Sequence, residues 1–259
     1  MLERMREVAT MQPDIISLPE TFSTMWVPGN KAIHEFAEDE LVQGPVPSRI
    51  AAFARQHNCY IICPLITRHA GKYFNSSLLL DRKGKTAGIY HKAHPVKSEI
   101  LPGQDFNGGV ITPGAMDQPV FETDFGKVGM QICYDANWSD GWENLHRKGA
   151  EIIFFSSAFP GGRMLNYYAL QYNYPIISST GGDARIIDIS GNNLDVSSDF
   201  VRYAWARINL EKVTLTTWPT NGQLPDIFKK YGNRVAVKVW GNTDVITIES
   251  RDPDLSLNA

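Results

Sequence analysis

Val128-Gly129-Met130-Gln131-Ile132-Cys133-Tyr134-Asp135 is an apolar run that ends in a single cysteine, with polar and turn-forming residues after it. The pattern is that of a buried strand carrying a thiol to the mouth of a sheet. Two charged residues occupy similar places upstream. Glu20 follows Ile15-Ile16-Ser17-Leu18-Pro19, and Lys92 follows Ile89-Tyr90-His91. A carboxylate, an amine and a thiol, each at a strand end, make a base, an electrostatic partner and a nucleophile. Taken singly, each has an ordinary reading: Cys133 as a buried structural cysteine, Glu20 as an exposed loop residue, Lys92 as a solvated cation.

Outward from these positions the chain alternates helices and strands. Met1–Met11 has helical spacing and precedes a strand over Asp14–Leu18. Pro47–His57 is amphipathic, with Ile50, Phe53 and Ala54 on one face. Tyr60–Thr67, Tyr73–Leu80 and Thr86–Tyr90 read as strands, the last two joined by the tight turn Asp81-Arg82-Lys83-Gly84-Lys85. Lys92 to Gly114 is a Pro- and Gly-bearing loop of a length that is usually functional. Val120–Thr123 and Val128–Ile132 read as a hairpin, Gly141–Lys148 as a helix and Ile152–Ser156 as a fully apolar strand. Met164–Asn173 reads as a helix and Ile176–Thr180 as a strand. Arg185–Ile189 and Val201–Ile208 read as strands paired across Gly191-Asn192-Asn193, and Val235–Trp240 and Val245–Ile248 as two more. Strands mixed with helices indicate α/β or α+β layers, and one domain is the simplest reading.

Composition narrows the classes. The 259 residues carry a net charge of −3, with 43% hydrophobic and 20% charged residues. No basic tract favours nucleic acid. No apolar stretch approaches the ~18 residues of a membrane span, and the charged start lacks a signal-peptide core. Cys59, Cys63 and Cys133 do not form a disulfide framework, so a reducing cytoplasm is expected. Cys59 and Cys63 fall in an apolar run and read as buried free thiols.

Rival chemistries fit less well. His91, His94 and His146 could each pair with the cysteine, but no spacing resembles a papain-type arrangement. Metal binding lacks a second cysteine pair. The doublets Gly108-Gly109, Gly161-Gly162 and Gly181-Gly182 lack the context of a phosphate-binding loop.

The ordered blocks resemble the nitrilase superfamily, the carbon–nitrogen hydrolases. They are Asp14-Ile15-Ile16-Ser17-Leu18-Pro19-Glu20, Tyr90-His91-Lys92, Thr112-Pro113-Gly114, Gly129 to Asp135, Gly149-Ala150-Glu151-Ile152-Ile153 and Ile186 to Gly191. Any one block is weak, and the set in family order is specific.

The resemblance implies a four-layer α-β-β-α sandwich of two mixed sheets with outer helices. It implies a triad of Glu20 as base, Lys92 as stabiliser of the anionic intermediate and Cys133 as nucleophile, acting through a thioester, with the Tyr134 backbone N–H as a second donor. Glu99, the only glutamate between Lys92 and Gly114, takes the place of a second glutamate that orients the lysine or holds the substrate amine. No metal or organic cofactor is implied. The partners implied are a small amide, carbamoyl or nitrile substrate, with amide or carbamoyl favoured, and a second copy of the chain. Residues 1–259 are expected to form a single hydrolase domain, with 219–259 as a dimer-exchange tail. Acyl transfer by the same triad, or a catalytically silent dimeric scaffold, are the competing readings.

Three departures from the family pattern stand out. The chain begins within the first helix, where family members usually begin with a strand, so the expectation is either a truncated start or a sheet without that strand. Ala136-Asn137-Trp138-Ser139-Asp140-Gly141-Trp142-Glu143 replaces the usual Phe-Pro-Glu run with its arginine. Ser156-Ser157 stands where a proline is usual. In the family layout Trp138, Phe159 and Arg163 flank the pocket, and Arg163 could hold a substrate carboxylate or simply be solvated. Trp142 fits ordinary helix packing as well as a pocket wall.

Overall fold

The computed structural model describes residues 1–24, 33–40, 44–100 and 110–257. The first sheet contains β1 (Ile15–Ser17), β2 (Glu38–Asp39), β3 (Tyr60–His69), β4 (Lys72–Leu80) and β5 (Thr86–His91). Its order is β1-β3-β4-β5, with β2 paired to the far end of β3. β1 and β2 run parallel to β3, and β3, β4 and β5 form an antiparallel meander. The second sheet contains β6 (Val120–Thr123), β7 (Gly126–Ile132), β8 (Ile152–Ser156), β9 (Ile176–Ser179), β10 (Arg185–Ile187) and β11 (Asn193–Val196), ordered β11-β10-β9-β8-β7-β6. β7, β8 and β9 are parallel, so their C-terminal ends open on one rim.

Side-chain alternation builds the layers. In β8, Ile152 and Phe154 face the other sheet and, with Val128, Met130 and Ile132 of the neighbouring β7, pack against its Tyr60, Ile62, Leu79 and Tyr90. Ile153 and Phe155 face outward, against Trp142, Leu145, Leu165 and Tyr168. A strand covered on both faces has no polar side, which is why this run is wholly apolar. Burying each of these side chains contributes about 1.5–3 kcal/mol. The outer cover of the second sheet is α4 (Ser139–Arg147) and α5 (Gly162–Tyr172), and that of the first is α1 (Leu2–Ala9) and α2 (Pro45–His57). α2 starts with prolines at its first turn and stops where Asn58 takes a left-handed conformation (φ 50°). The chain is therefore the expected α-β-β-α sandwich. No strand precedes α1 among the described residues.

The two sheets are tied together near the rim. Ser156 Oγ donates to the Leu18 carbonyl (2.9 Å), and Ser179 Oγ donates to the Ser17 carbonyl (2.9 Å). Ser156 thus anchors the segment that leads to Glu20.

Two sequence expectations change. The strand that pairs with β10 is Asn193–Val196 and not Val201–Ile208. Gly191 (φ 75°) closes a tight turn in which Asp188 N–H donates to the Asn192 carbonyl and Gly191 N–H donates to the Asp188 carbonyl, so the return strand starts at once. Val201 and Trp205 are exposed on an extended segment beyond it. The C-terminal region also holds more structure than the two strands expected. β12 (Lys212–Thr216), β13 (Val235–Trp240) and β14 (Val245–Ser250) form a third, antiparallel sheet ordered β12-β14-β13. The helix Leu224–Tyr231 packs on it through Leu224, Ile227 and Tyr231. The Lys92–Gly114 loop contains the short helix α3 (Lys97–Ile100), and Gly108-Gly109 lies outside the described residues. No helix is long and apolar enough to cross a membrane among the described residues.

Candidate active site

Three strand exits converge on the rim. Beyond β1, Leu18 N–H still bonds to the Ile62 carbonyl, and Pro19 then turns the chain so that Glu20 points inward, 4% exposed. Beyond β5, Lys92 N–H bonds to the Asn75 carbonyl, and the Lys92 carbonyl accepts from Gly114 N–H. Lys92 is 2% exposed. Cys133 opens the 3-10 turn Cys133–Asn137 directly after β7, at φ 46°.

The side chains interlock. Lys92 Nζ lies 3.0 Å from Glu20 Oε1 and 2.9 Å from Glu99 Oε2. Asn75 Nδ2 donates to Glu20 Oε1 and to Glu99 Oε1, each at 2.8 Å. Backbone N–H groups complete the cradle: Ala158 donates to Glu20 Oε2 (2.9 Å) and Val96 to Glu99 Oε2 (2.7 Å). One ammonium and one amide therefore hold two buried carboxylates in fixed positions. Asn75 was not singled out from the sequence, because its signal is only a polar break, Asn75-Ser76-Ser77, inside a strand.

The electrostatics follow from burial and these neighbours. Burial pushes the Cys133 thiol up, Glu20 adds to the rise, and Lys92 and the Ser157 hydroxyl oppose it, leaving the thiol at about 11. Burial works against the Lys92 ammonium, but Glu20, Glu99 and Cys133 more than compensate and hold it above the ordinary lysine range. Cys59 and Cys63 are buried in the core, where Arg82 acts on Cys59 and burial and Glu38 act on Cys63. Burial pushes Cys59 up to about 11, and Cys63 further.

The turn after Cys133 has its own anchor. Asp135 is fully buried and accepts from Tyr90 OH, from the His94 and Ile132 N–H groups, and meets His94 Nδ1 at 3.0 Å. Asp135 was also missed in the sequence, where it is one acidic residue in a turn.

The remaining expected residues divide. Trp138 is half-buried and lies flat on the His94 ring, with centroids 4.2 Å apart and planes 1° from parallel. Tyr134 is 41% exposed and stands edge-on to Trp138. Phe159 is 72% exposed on the loop just past Ala158. Arg163 is exposed in the first turn of α5 and makes none of the hydrogen bonds that hold the site together. Trp142 is a core residue: it is fully buried, donates to the Asp135 carbonyl and stacks on Tyr168. A groove of about 510 Å³ between Lys127, His146, Tyr172 and Lys212 lies at the opposite end of the second sheet and includes none of these residues. No group of three or more His, Cys, Asp and Glu side chains is placed to hold a metal among the described residues.

A family described as carbon-nitrogen hydrolase matches residues 1–198. The chain is 31% identical over 160 residues to a hydrolase in the pqqF 5' region of Pseudomonas protegens, covering 61% of this chain and 53% of that one. It is 27% identical over 156 residues to the omega-amidase NIT2 of Homo sapiens, covering 60% and 55%. The match thus spans little more than half the length of these relatives. Among solved structures it is similar to Saccharomyces cerevisiae Nit3, a member of branch 10 of the nitrilase superfamily. There the TM-score is 0.63 and the identity 17%, over 75% of this chain and 77% of that one. It is also similar to an amidase from Nesterenkonia sp., with a TM-score of 0.62 and 16% identity, over 76% and 77%.

Proposed function

The chain belongs to the carbon–nitrogen hydrolase family, and on that premise we propose that it hydrolyses a small amide or carbamoyl compound through a thioester on Cys133. The observation that carries this reading is the bridge from Lys92 Nζ to Glu20 and Glu99, with both Lys92 and Glu20 acting on the Cys133 thiol.

Glu20 takes the thiol proton as Cys133 Sγ attacks the substrate carbonyl carbon. The carbonyl electron pair moves onto oxygen. An ammonium has three N–H donors, and two on Lys92 are engaged by Glu20 and Glu99. The third serves the oxyanion, together with the Tyr134 N–H at the first turn, where a helix leaves its donors unpaired. The C–N bond breaks, the leaving amine receives the proton from Glu20, and a thioester remains. Water then attacks the thioester, Glu20 takes the water proton, and the carboxylic acid leaves as Sγ recovers a proton. Because the resting thiol titrates at about 11, it is a neutral thiol near pH 7, and the attack needs a base in contact with it.

Glu99 acts on Lys92, holding the ammonium on the side facing the cysteine. Trp138 and Phe159 form the walls of the mouth, and Arg163 stands at its edge for a substrate carboxylate. Residues 1–259 act as one hydrolase unit. Its tail, 219–259, contacts a second copy, and Lys212 Nζ ties the third sheet to Asp188 at 2.7 Å.

The test is ammonia release from a panel of amides, carbamoyl amino acids and nitriles, with wild type and Cys133→Ala compared. Release that disappears in the variant supports the reading. Release that is equal in both, or absent from every compound with the folded wild type, contradicts it.

A further inference from the structure

We propose that Asp135 is a positioning residue that sets the distance between Lys92 and Cys133, by clamping the loop that carries the lysine to the turn that carries the cysteine. The inference rests on the roles given to those two residues above.

The Asp135 carboxylate reaches both segments at once. Oδ2 accepts from Ile132 N–H (3.0 Å), next to the cysteine, and from Tyr90 OH (2.7 Å), two residues before the lysine. Oδ1 accepts from His94 N–H (2.8 Å) and lies 3.0 Å from His94 Nδ1, two residues after the lysine. The Tyr90 hydroxyl in turn accepts from Ala93 N–H (3.3 Å). The Asp135 carbonyl accepts from Trp138 N–H and Trp142 Nε1, both at 3.2 Å, which fixes the turn to α4. Residues on both sides of Lys92 are therefore bound to one fully buried side chain.

The cysteine depends on that side chain too. Cys133 stands at φ 46°, a region that L residues other than Gly, Asn and Asp enter only when the surroundings impose it. The Ile132 N–H bond to Asp135 closes the turn that imposes it.

The chemistry of the contact requires a carboxylate. Each oxygen faces a backbone N–H, Ile132 on one side and His94 on the other, and a backbone donor cannot reverse its polarity. An asparagine has one acceptor oxygen, so its NH₂ would meet one of the two donors. That leaves a buried donor unsatisfied and pushes one segment away. A displacement near 1 Å between reacting groups is enough to cost about 100-fold in rate.

The probe is iodoacetamide, with alkylation of Cys133 followed by peptide mass across pH in wild type, Asp135→Asn and Tyr90→Phe. Circular dichroism and melting curves report folding. Glu20 and Lys92 are the charged groups that face the thiol. If the clamp sets Lys92, the alkylation profile of Asp135→Asn moves to higher pH, because the ammonium no longer pulls the thiol down as strongly. On the amide that releases ammonia fastest, kcat falls by about 10–100-fold with KM little changed. Tyr90→Phe keeps both backbone bonds and moves the profile the same way by less. A folded Asp135→Asn with the wild-type profile and wild-type kcat overturns the proposal. Should Asp135→Asn fail to fold, Tyr90→Phe decides, and an unchanged profile there overturns it as well. A wild-type Cys133 alkylated no faster than Cys59 removes the proposed function itself, and this inference with it.

Discussion

Lys92 and Glu20 form an ion pair closed off from solvent: Nζ lies 3.0 Å from Oε1, and the side chains are 2% and 5% exposed. Glu99 flanks the same ammonium at 2.9 Å. A lone cation thus keeps two buried carboxylates in place beside the thiol, and most of the expected behaviour follows from that arrangement.

Glu20→Gln should separate thiol reactivity from turnover. The Glu20 charge is one of the causes that raise the thiol, and Lys92 lowers it. Without that charge, the alkylation profile moves to lower pH than in wild type, so labelling at pH 8 is faster. Hydrolysis falls by about 10²–10⁴-fold, because the proton has no acceptor in the transition state. An alkylation profile unchanged from wild type would show that the Glu20 charge does not act on the thiol.

Lys92→Met should be a folding defect as well as a catalytic one. Removing one partner of a buried pair typically costs about 3–5 kcal/mol, because the other charge is left uncompensated. Here two carboxylates are left facing each other. The double variant Lys92→Met/Glu99→Gln removes one of them and should recover part of the loss. Urea melts of the two variants check this, and equal midpoints would contradict it.

Stability should fall on the alkaline side through Cys133. Its folded pKa is raised from 9.0 to about 11, so the native state keeps a proton that the unfolded chain loses. Stability from this group is complete below pH 9 and declines as pH rises to about 11. The full effect is on the order of 2–3 kcal/mol. Lys92, also raised, acts in the same direction at still higher pH. Chemical melts at pH 8 and pH 10.5 should show a smaller difference for Cys133→Ala than for wild type.

Asn75→Asp should be worse than Asn75→Ala. Alanine deletes two hydrogen bonds to carboxylates, a loss of about 1.5–3 kcal/mol for each such bond. Aspartate places a third carboxylate against Glu20 and Glu99 with the same single ammonium between them. Melting temperatures and ammonia release, measured side by side, give the order.

Much of this was legible in the sequence for physical reasons. β7 and β8 are covered on both faces, so Val128–Ile132, broken only by Gln131, and Ile152–Phe155 read as apolar runs, and the residue that ends such a run stands near the rim. Glu20, Lys92 and Cys133 could be placed that way, and Glu99 by its being the sole glutamate in its loop. Asn75 and Asp135 could not. Their meaning lies in partners far along the chain: Asn75 reaches Glu20 across 55 positions, and Asp135 reaches Tyr90 across 45. The return strand β11 was misplaced because the turn at Gly191 is tighter than the alternation in 201–208 suggested. β12 was missed because its residues are at most half-buried, so period-two patterning is weak.

The central claim is that Cys133 carries the acyl group. The most direct measurement is peptide mapping by mass spectrometry of enzyme quenched in acid during turnover of the best amide. The account predicts an acyl mass on the peptide that contains Cys133, absent in Cys133→Ala and released by hydroxylamine. Steady turnover with no adduct on that peptide, and undiminished turnover in Cys133→Ala, would contradict it.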